Sequence, residues 1–387
     1  MFGIVLSVLG AFTGLSVHGA IGVRYFQLER KALAEYVGTC VGILVVSTSV
    51  IFLLVAVSGE WLARVSGVPS DWLLVAVALS GFQFLGNIRL ALWQVSGEAK
   101  KYGVFQVSQS LLNASFSLVF VLIVGLAWQG RVLGQVVAVG AFGIVALRWL
   151  LKDGLLTISR NWRAQSRDAL NFGIPLIPHV IGGLIISTAG QFLVTNMLGV
   201  SEVGLYVVGV QLGSILGIVA DAFVKSYAPW LYERLKDEST LARRATVGVT
   251  YYVFIFFLLL AAVASISVFF VFPYIVGPQF LPARSMIAFF IFGNAFVGMY
   301  YAVAGFFFFT SKTKFVSIVT ISSGVLSICL MWFLASALGT KGVALGYLLS
   351  QIIMFLLAWI ISSFVYPLPW LQIRSAFSAV STAQFKK

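Results

Sequence analysis

The sequence predicts an all-α polytopic membrane protein with about eleven transmembrane helices, and three observations carry that prediction. The first is composition: 60% of the 387 residues are hydrophobic and 10% charged, with a mean hydropathy of +1.02, beyond what a soluble domain carries. The second is a series of apolar runs of about 20 residues, the length that crosses roughly 30 Å of hydrocarbon at 1.5 Å per residue. The third is where the positive charge falls. Of 25 Lys and Arg, 20 sit in alternate gaps of that series, as membrane topology requires.

The eleven runs are 2–23, 37–57, 72–95, 104–127, 132–150, 172–196, 203–228, 247–271, 286–309, 315–338 and 343–366. The first follows Met1 with no basic residue ahead of it, and its charges come after it, so it reads as a span and not as a signal peptide. One set of gaps holds Arg24, Arg30 and Lys31, then Lys100 and Lys101, then Arg148, Lys152, Arg160, Arg163 and Arg167. That set continues with Lys225, Arg234, Lys236, Arg243 and Arg244, then Lys312 and Lys314, and the tail residues Arg374, Lys386 and Lys387. The other gaps hold only Arg64, Arg131, Arg284 and Lys341, while Arg89 lies within the third run. The amino terminus of this chain is therefore expected outside and the carboxyl terminus in the cytoplasm. Trp61, Trp72, Trp128 and Trp230 near run ends fit an interfacial aromatic belt.

The formal charge of +13 does not indicate a nucleic-acid partner, because the basic residues cap apolar runs instead of forming a polar arm or helix. Cys40 and Cys329 lie inside apolar runs, which argues against a disulfide or a metal site. Neither a phosphate-binding glycine loop nor a nucleophile elbow is present, so no cofactor and no catalytic residue are expected, and the chain is not read as an enzyme.

An internal repeat explains the odd number of runs. Lys101-Tyr102 and then Gly130, Leu133 and Gly134 recur as Lys314-Phe315 and then Gly342, Leu345 and Gly346, offset by 212–213 residues. Phe2-Gly3 and Arg24 recur as Val203-Gly204 and Lys225 at an offset of 201. Both matches imply a 12-helix, two-lobe, six-plus-six plan that lacks the first helix, whose equivalent is expected upstream of Met1. The expected divisions are a first lobe over 1–150, a cytoplasmic linker over 151–171, a second lobe over 172–370 and a cytoplasmic tail over 371–387.

Polar residues kept in a bilayer usually face protein or water. Gln106, Gln109, Ser110, Asn113 and Ser117 share one face of their run, as do Gln211, Ser214, Asp221 and Lys225, and Ser187, Gln191 and Thr195 follow at i, i+4, i+8. Each stripe alone is explained by interhelical hydrogen bonding. Three together suggest a polar cavity, with Gln109, Asn113, Gln211 and Ser214 as candidate sugar contacts. Asp221 and Lys225 can neutralise each other one helical turn apart, either as a structural pair or as a switch and phosphate contact. Arg89 falls away from the polar face of its run and is read as a snorkelling arginine first, a diphosphate contact second. His179, after Pro175 and Pro178, and His18 are packing residues or coupling groups.

Phe172-Gly173-Ile174-Pro175-Leu176-Ile177-Pro178-His179 resembles the opening of the second lobe in Wzx-type oligosaccharide flippases. Leu198-Gly199-Val200-Ser201-Glu202-Val203-Gly204-Leu205-Tyr206, Pro229-Trp230-Leu231-Tyr232 and the segment 310–346 are similar to further parts of that family. Those flippases belong to a larger superfamily of drug, oligosaccharidyl-lipid and polysaccharide exporters. The resemblance implies two six-helix lobes in a bacterial inner membrane. It also implies transport of undecaprenyl-diphosphate-linked oligosaccharide to the periplasmic leaflet, for lipopolysaccharide or O-antigen synthesis. A polysaccharide polymerase and chain-length machinery are the implied partners besides membrane lipids. Lys225, Arg24 and Arg89 become candidate head-group contacts, and Asp221 and His179 candidate coupling residues. Gly190-Gln191 stands where relatives often carry Asp-Arg. A drug or cation exporter of the same superfamily is the alternative, and a membrane enzyme of polysaccharide assembly a third reading.

Overall fold

The computed structural model describes residues 2–237 and 239–384. Ten of its helices are long and apolar enough to cross a membrane, and an eleventh span is possible if one bent pair is counted. The bent pair is the first run. Instead of one helix over 2–23, α1 (Phe2–Phe12) and α2 (His18–Arg24) meet at 46° across a 3-10 turn. Gly14, Leu15 and Ser16 all have positive φ there, and the freed backbone is met by side chains. The Ser47 hydroxyl accepts from the Gly14 N–H at 2.8 Å, and Thr13 and Ser80 share a 2.7 Å hydrogen bond. Irregular backbone at this depth survives because it is buried in protein. Gly14 is also forced by space, since a Cβ there would enter the Phe84 ring.

The remaining twelve helices are α3 (Arg30–Ser66), α4 (Ser70–Val95), α5 (Ala99–Leu118), α6 (Ala127–Lys152), α7 (Trp162–Gly173), α8 (Ile177–Met197), α9 (Val200–Arg234), α10 (Thr240–Ile275), α11 (Arg284–Phe309), α12 (Lys314–Leu338), α13 (Thr340–Val365) and α14 (Ile373–Gln384). Ten of them follow the apolar runs, and the other two, α7 and α14, form in the stretches expected as linker and tail. A left-handed Gly67 ends α3 as such a cap should, and α5 passes into a π-turn over 119–123.

The chain divides into two compact units between Ile181 and Gly182, inside α8. The sequence placed that divide in the 151–171 linker. The difference has a physical reason, because the linker is built onto the first unit. The Thr157 N–H donates to the Ala34 carbonyl, the Ser159 hydroxyl to Glu35, and the Thr39 hydroxyl to Gln165. Gly38 lets the Thr157 backbone lie directly on α3, where any Cβ would collide with it.

In the first unit α4 is the hub, packed by α1, α2, α3 and α6, while α5 leans on α6. In the second, α11 is the hub between α9, α13 and α10, and α14 lies along α10. The repeat reappears as two equivalent hairpins. Gly130 and Gly134 of α6 press on the backbone of the helix before them at Phe120 and Ser117, and Gly342 and Gly346 of α13 do the same at Leu334 and Met331. Small residues one turn apart allow this close approach. The sequence offset wavers because the hairpin turns differ, with residues 124–126 linking the first and Gly339 alone the second.

Candidate functional site

The candidate residues fall into separate groups, each held by its own unit. In the second unit, α9 carries a row of polar side chains along a membrane-crossing helix. Gln211 is exposed and Ser214 half-buried, with the Ser214 hydroxyl donating to the Gln211 carbonyl at 2.7 Å. Two turns on, Lys225 Nζ lies 2.7 Å from Asp221 Oδ2, with the two side chains 28% and 56% exposed. Both charges lie on one helix, a turn apart, with Lys225 the more buried of the two. On α8, Ser187, Gln191 and Thr195 are exposed, and the Ser187 and Thr195 hydroxyls bond back to carbonyls of their own helix. Gly190 has a structural reason, because the Tyr206 hydroxyl of α9 occupies the space a side chain there would need.

In the first unit Arg24 is fully engaged. Its Nε and Nη2 make two parallel bonds to Asp168, at 2.9 and 2.7 Å, and it also reaches Gln27. Tyr36 donates its hydroxyl to the same carboxylate at 2.9 Å. This fork-on-fork geometry is the stronger kind of ion pair, and it clamps α2 and α3 to α7. Sequence reasoning missed Asp168 and Tyr36, which lie 144 and 132 residues from their partners. The one available signal was an acid set among Arg160, Arg163 and Arg167.

Arg89 does not snorkel. It is 3% exposed, pairs with Asp153 Oδ2 at 2.6 Å, and lies over Trp93 with its guanidinium 4.4 Å from the ring centre. A charge this deep needs a partner, and Asp153 at the end of α6 provides it. Asp153 was also missed, 64 positions away and in a turn.

Along α5, Gln106 and Gln109 are half-buried. Asn113 accepts from Arg131 Nη1 at 2.9 Å, and Ser117 is 3.2 Å from the same nitrogen. That half of the stripe therefore closes the α5–α6 hairpin. His179 is half-buried at the start of α8, and His18 stacks edge-on against Phe84 at 5.1 Å beside the helix break. The structure thus brings Asp221 together with Lys225, and gives Arg24, Arg89 and Asn113 local partners of their own.

No family model matches the sequence. Among curated proteins, the Lsg locus protein 1 of Haemophilus influenzae is 22% identical over 333 residues, covering 83% of this chain and 78% of that protein. An uncharacterized membrane protein of the same organism is 25% identical over 232 residues, covering 59% and 54%. Among solved structures, the chain is similar to a MATE protein in complex with MaD3S, with a TM-score of 0.71 and 16% identity over 98% of this chain and 86% of that one. It is also similar to the Vibrio cholerae MATE transporter VcmN in its bent form, with a TM-score of 0.65 and 17% identity over 98% and 87%. The likeness is one of fold: a 12-helix, two-lobe membrane architecture.

Proposed function

We propose that this chain is a membrane transporter that carries a polyprenyl-diphosphate-linked oligosaccharide across a bacterial inner membrane by alternating access. It would work with its carboxyl terminus in the cytoplasm and without enzymatic activity of its own. The observation that carries the cargo class is the Asp221–Lys225 pair. Asp221 is the one carboxylate well inside an apolar run, and a lysine neutralises it at 2.7 Å. A cation-binding pocket needs an acid left over, whereas an anionic head group can compete with the exposed Asp221 carboxylate for Lys225. Lys225 is the proposed phosphate contact and Asp221 its exchange partner. Gln211, Ser214 and Gln109 are the proposed sugar contacts. Arg24 and Asn113 would join only by giving up Asp168 and Arg131, and His179 is kept as a coupling residue. A polymerase and chain-length machinery would consume the product.

A second reading, a drug or cation exporter, has the fold likeness to MATE transporters on its side. One deletion experiment separates the two. Cells lacking the gene should lose surface polysaccharide and keep their tolerance to ethidium and other cationic dyes, and protease added to spheroplasts should spare a carboxy-terminal tag. Intact polysaccharide with lost dye tolerance would establish the second reading instead.

A further inference from the structure

We propose that the first unit carries a groove for one polyprenyl chain, with the phosphate of that lipid held by Arg163 and Arg167 of α7. The proposal rests on the lipid-linked cargo proposed above and adds where the carrier lipid is held. A groove of about 620 Å³ runs along α3, between the break after α1 and the start of α7. That volume is within the usual range for small-molecule sites. Val46, Val50 and Leu54 of α3 line it and are each at least half exposed. The two α3 hydroxyls on its wall are already engaged, Thr39 with Gln165, and Ser47 with the Gly14 N–H and the Leu44 carbonyl. A wall satisfied in this way favours an apolar chain over water or a sugar.

Length and charge name the chain. The α3 lining runs from Thr39 to Leu54, about 22 Å at 1.5 Å per residue. A phospholipid acyl chain ends at the bilayer midplane, roughly 15 Å in, half the thickness of the hydrocarbon. A groove longer than that suits a longer chain, and a single groove suits a lipid with a single chain. At the Thr39 end, Trp162, Ser166 and Leu170 of α7 line the groove. Successive helical residues turn by about 100°, so Arg163 and Arg167 lie beside that row, turned away from Gln165 and Asp168. The Arg163 guanidinium is 5.7 Å from the centre of the Trp162 ring, which places it at the groove. Both arginines are exposed, and among the described residues neither is in an ion pair. Asp168, the acid of α7, is taken by Arg24 and Tyr36. Two guanidinium forks without a carboxylate fit a phosphate or diphosphate, the head group that a single polyprenyl chain carries.

The test uses the purified full chain in neutral detergent, with binding read by native mass spectrometry and folding by thermal melting. The probes are undecaprenyl phosphate, undecaprenol and dioleoyl phosphatidylglycerol. Wild-type protein should retain one undecaprenyl phosphate in preference to both other lipids. A Cβ at Gly42, which lines the groove, would meet nothing within 4 Å, so Gly42→Trp fills the groove without disturbing α3. It should weaken retention about 10-fold or more. Arg163→Gln with Arg167→Gln should weaken it about 10-fold and remove the preference over undecaprenol. Val57→Trp, at a 90% exposed position of α3 outside the groove, should leave retention unchanged. Undiminished retention by a folded Gly42→Trp protein, or equal retention of phosphatidylglycerol, would overturn the groove and leave the cargo reading standing. Failure of the wild-type protein to retain undecaprenyl phosphate would count against groove and cargo together.

Discussion

Valine at Gly134 should prevent the α5–α6 hairpin from closing, whereas valine at Gly140, six residues along the same helix, should be tolerated. A Cβ at Gly134 would lie 2.7 Å from the Ser117 Cα, while one at Gly140 would meet nothing within 4 Å. The collision at Gly134 is with backbone, so no rotamer change relieves it, and forcing the helices apart costs about 1–3 kcal/mol or more. Within α5 itself only Phe105 and Ser117 are buried, which leaves little else to hold that helix. Separation would also break the contacts of Arg131 with Asn113 and Ser117. Melting in detergent, followed by size-exclusion profile, should show Gly134→Val aggregating well below the wild-type midpoint and Gly140→Val close to it. Equal midpoints for the two variants would mean that the hairpin is not packed through this glycine.

Lys225→Ala should reduce delivery of surface polysaccharide at least tenfold while membrane protein level and melting stay near wild type. The asymmetry follows because Asp221 and Lys225 are bonded within one helix, while the change takes away the proposed phosphate contact. Lys225→Arg should keep most activity, since it keeps a charge-assisted donor at that place. Asp221→Asn should have the milder effect, because it removes the competitor for the lysine and not the lysine itself. Parallel falls in protein level and export for Lys225→Ala would make the pair structural.

Much of the fold could be read from the sequence because the bilayer imposes simple rules. An apolar run must become a helix of fixed minimum length, so α4, α11, α12 and α13 begin and end within a few residues of their runs. The recurring Gly130, Gly134, Gly342 and Gly346 already marked two equivalent hairpins. What could not be read depended on partners distant in sequence. The break between α1 and α2 is made possible by hydroxyls from α3 and α4, and glycines spread through the run at 3, 10, 14, 19 and 22 did not single out Gly14. Arg89 looked like a lipid-facing residue because its partners come from elsewhere in the chain, Asp153 from the turn after α6 and Trp149, whose ring centre is 5.7 Å from the guanidinium, from α6 itself. Arg24 looked available because Asp168 lies in what reads as a linker. Only the Asp221–Lys225 pair, which is local to one helix, was legible as a pair.

The central claim, transport of an anionic lipid-linked oligosaccharide, is tested most directly by reconstitution. Vesicles would contain the full chain and a fluorescent undecaprenyl-diphosphate oligosaccharide, and impermeant dithionite would be added outside. The account predicts bleaching of the whole label pool in vesicles with protein, bleaching of the outer-leaflet share alone without it, and a return to that share with Lys225→Ala. Bleaching that stops at the outer-leaflet share in wild-type vesicles, while the same vesicles move ethidium under an imposed ion gradient, would contradict it.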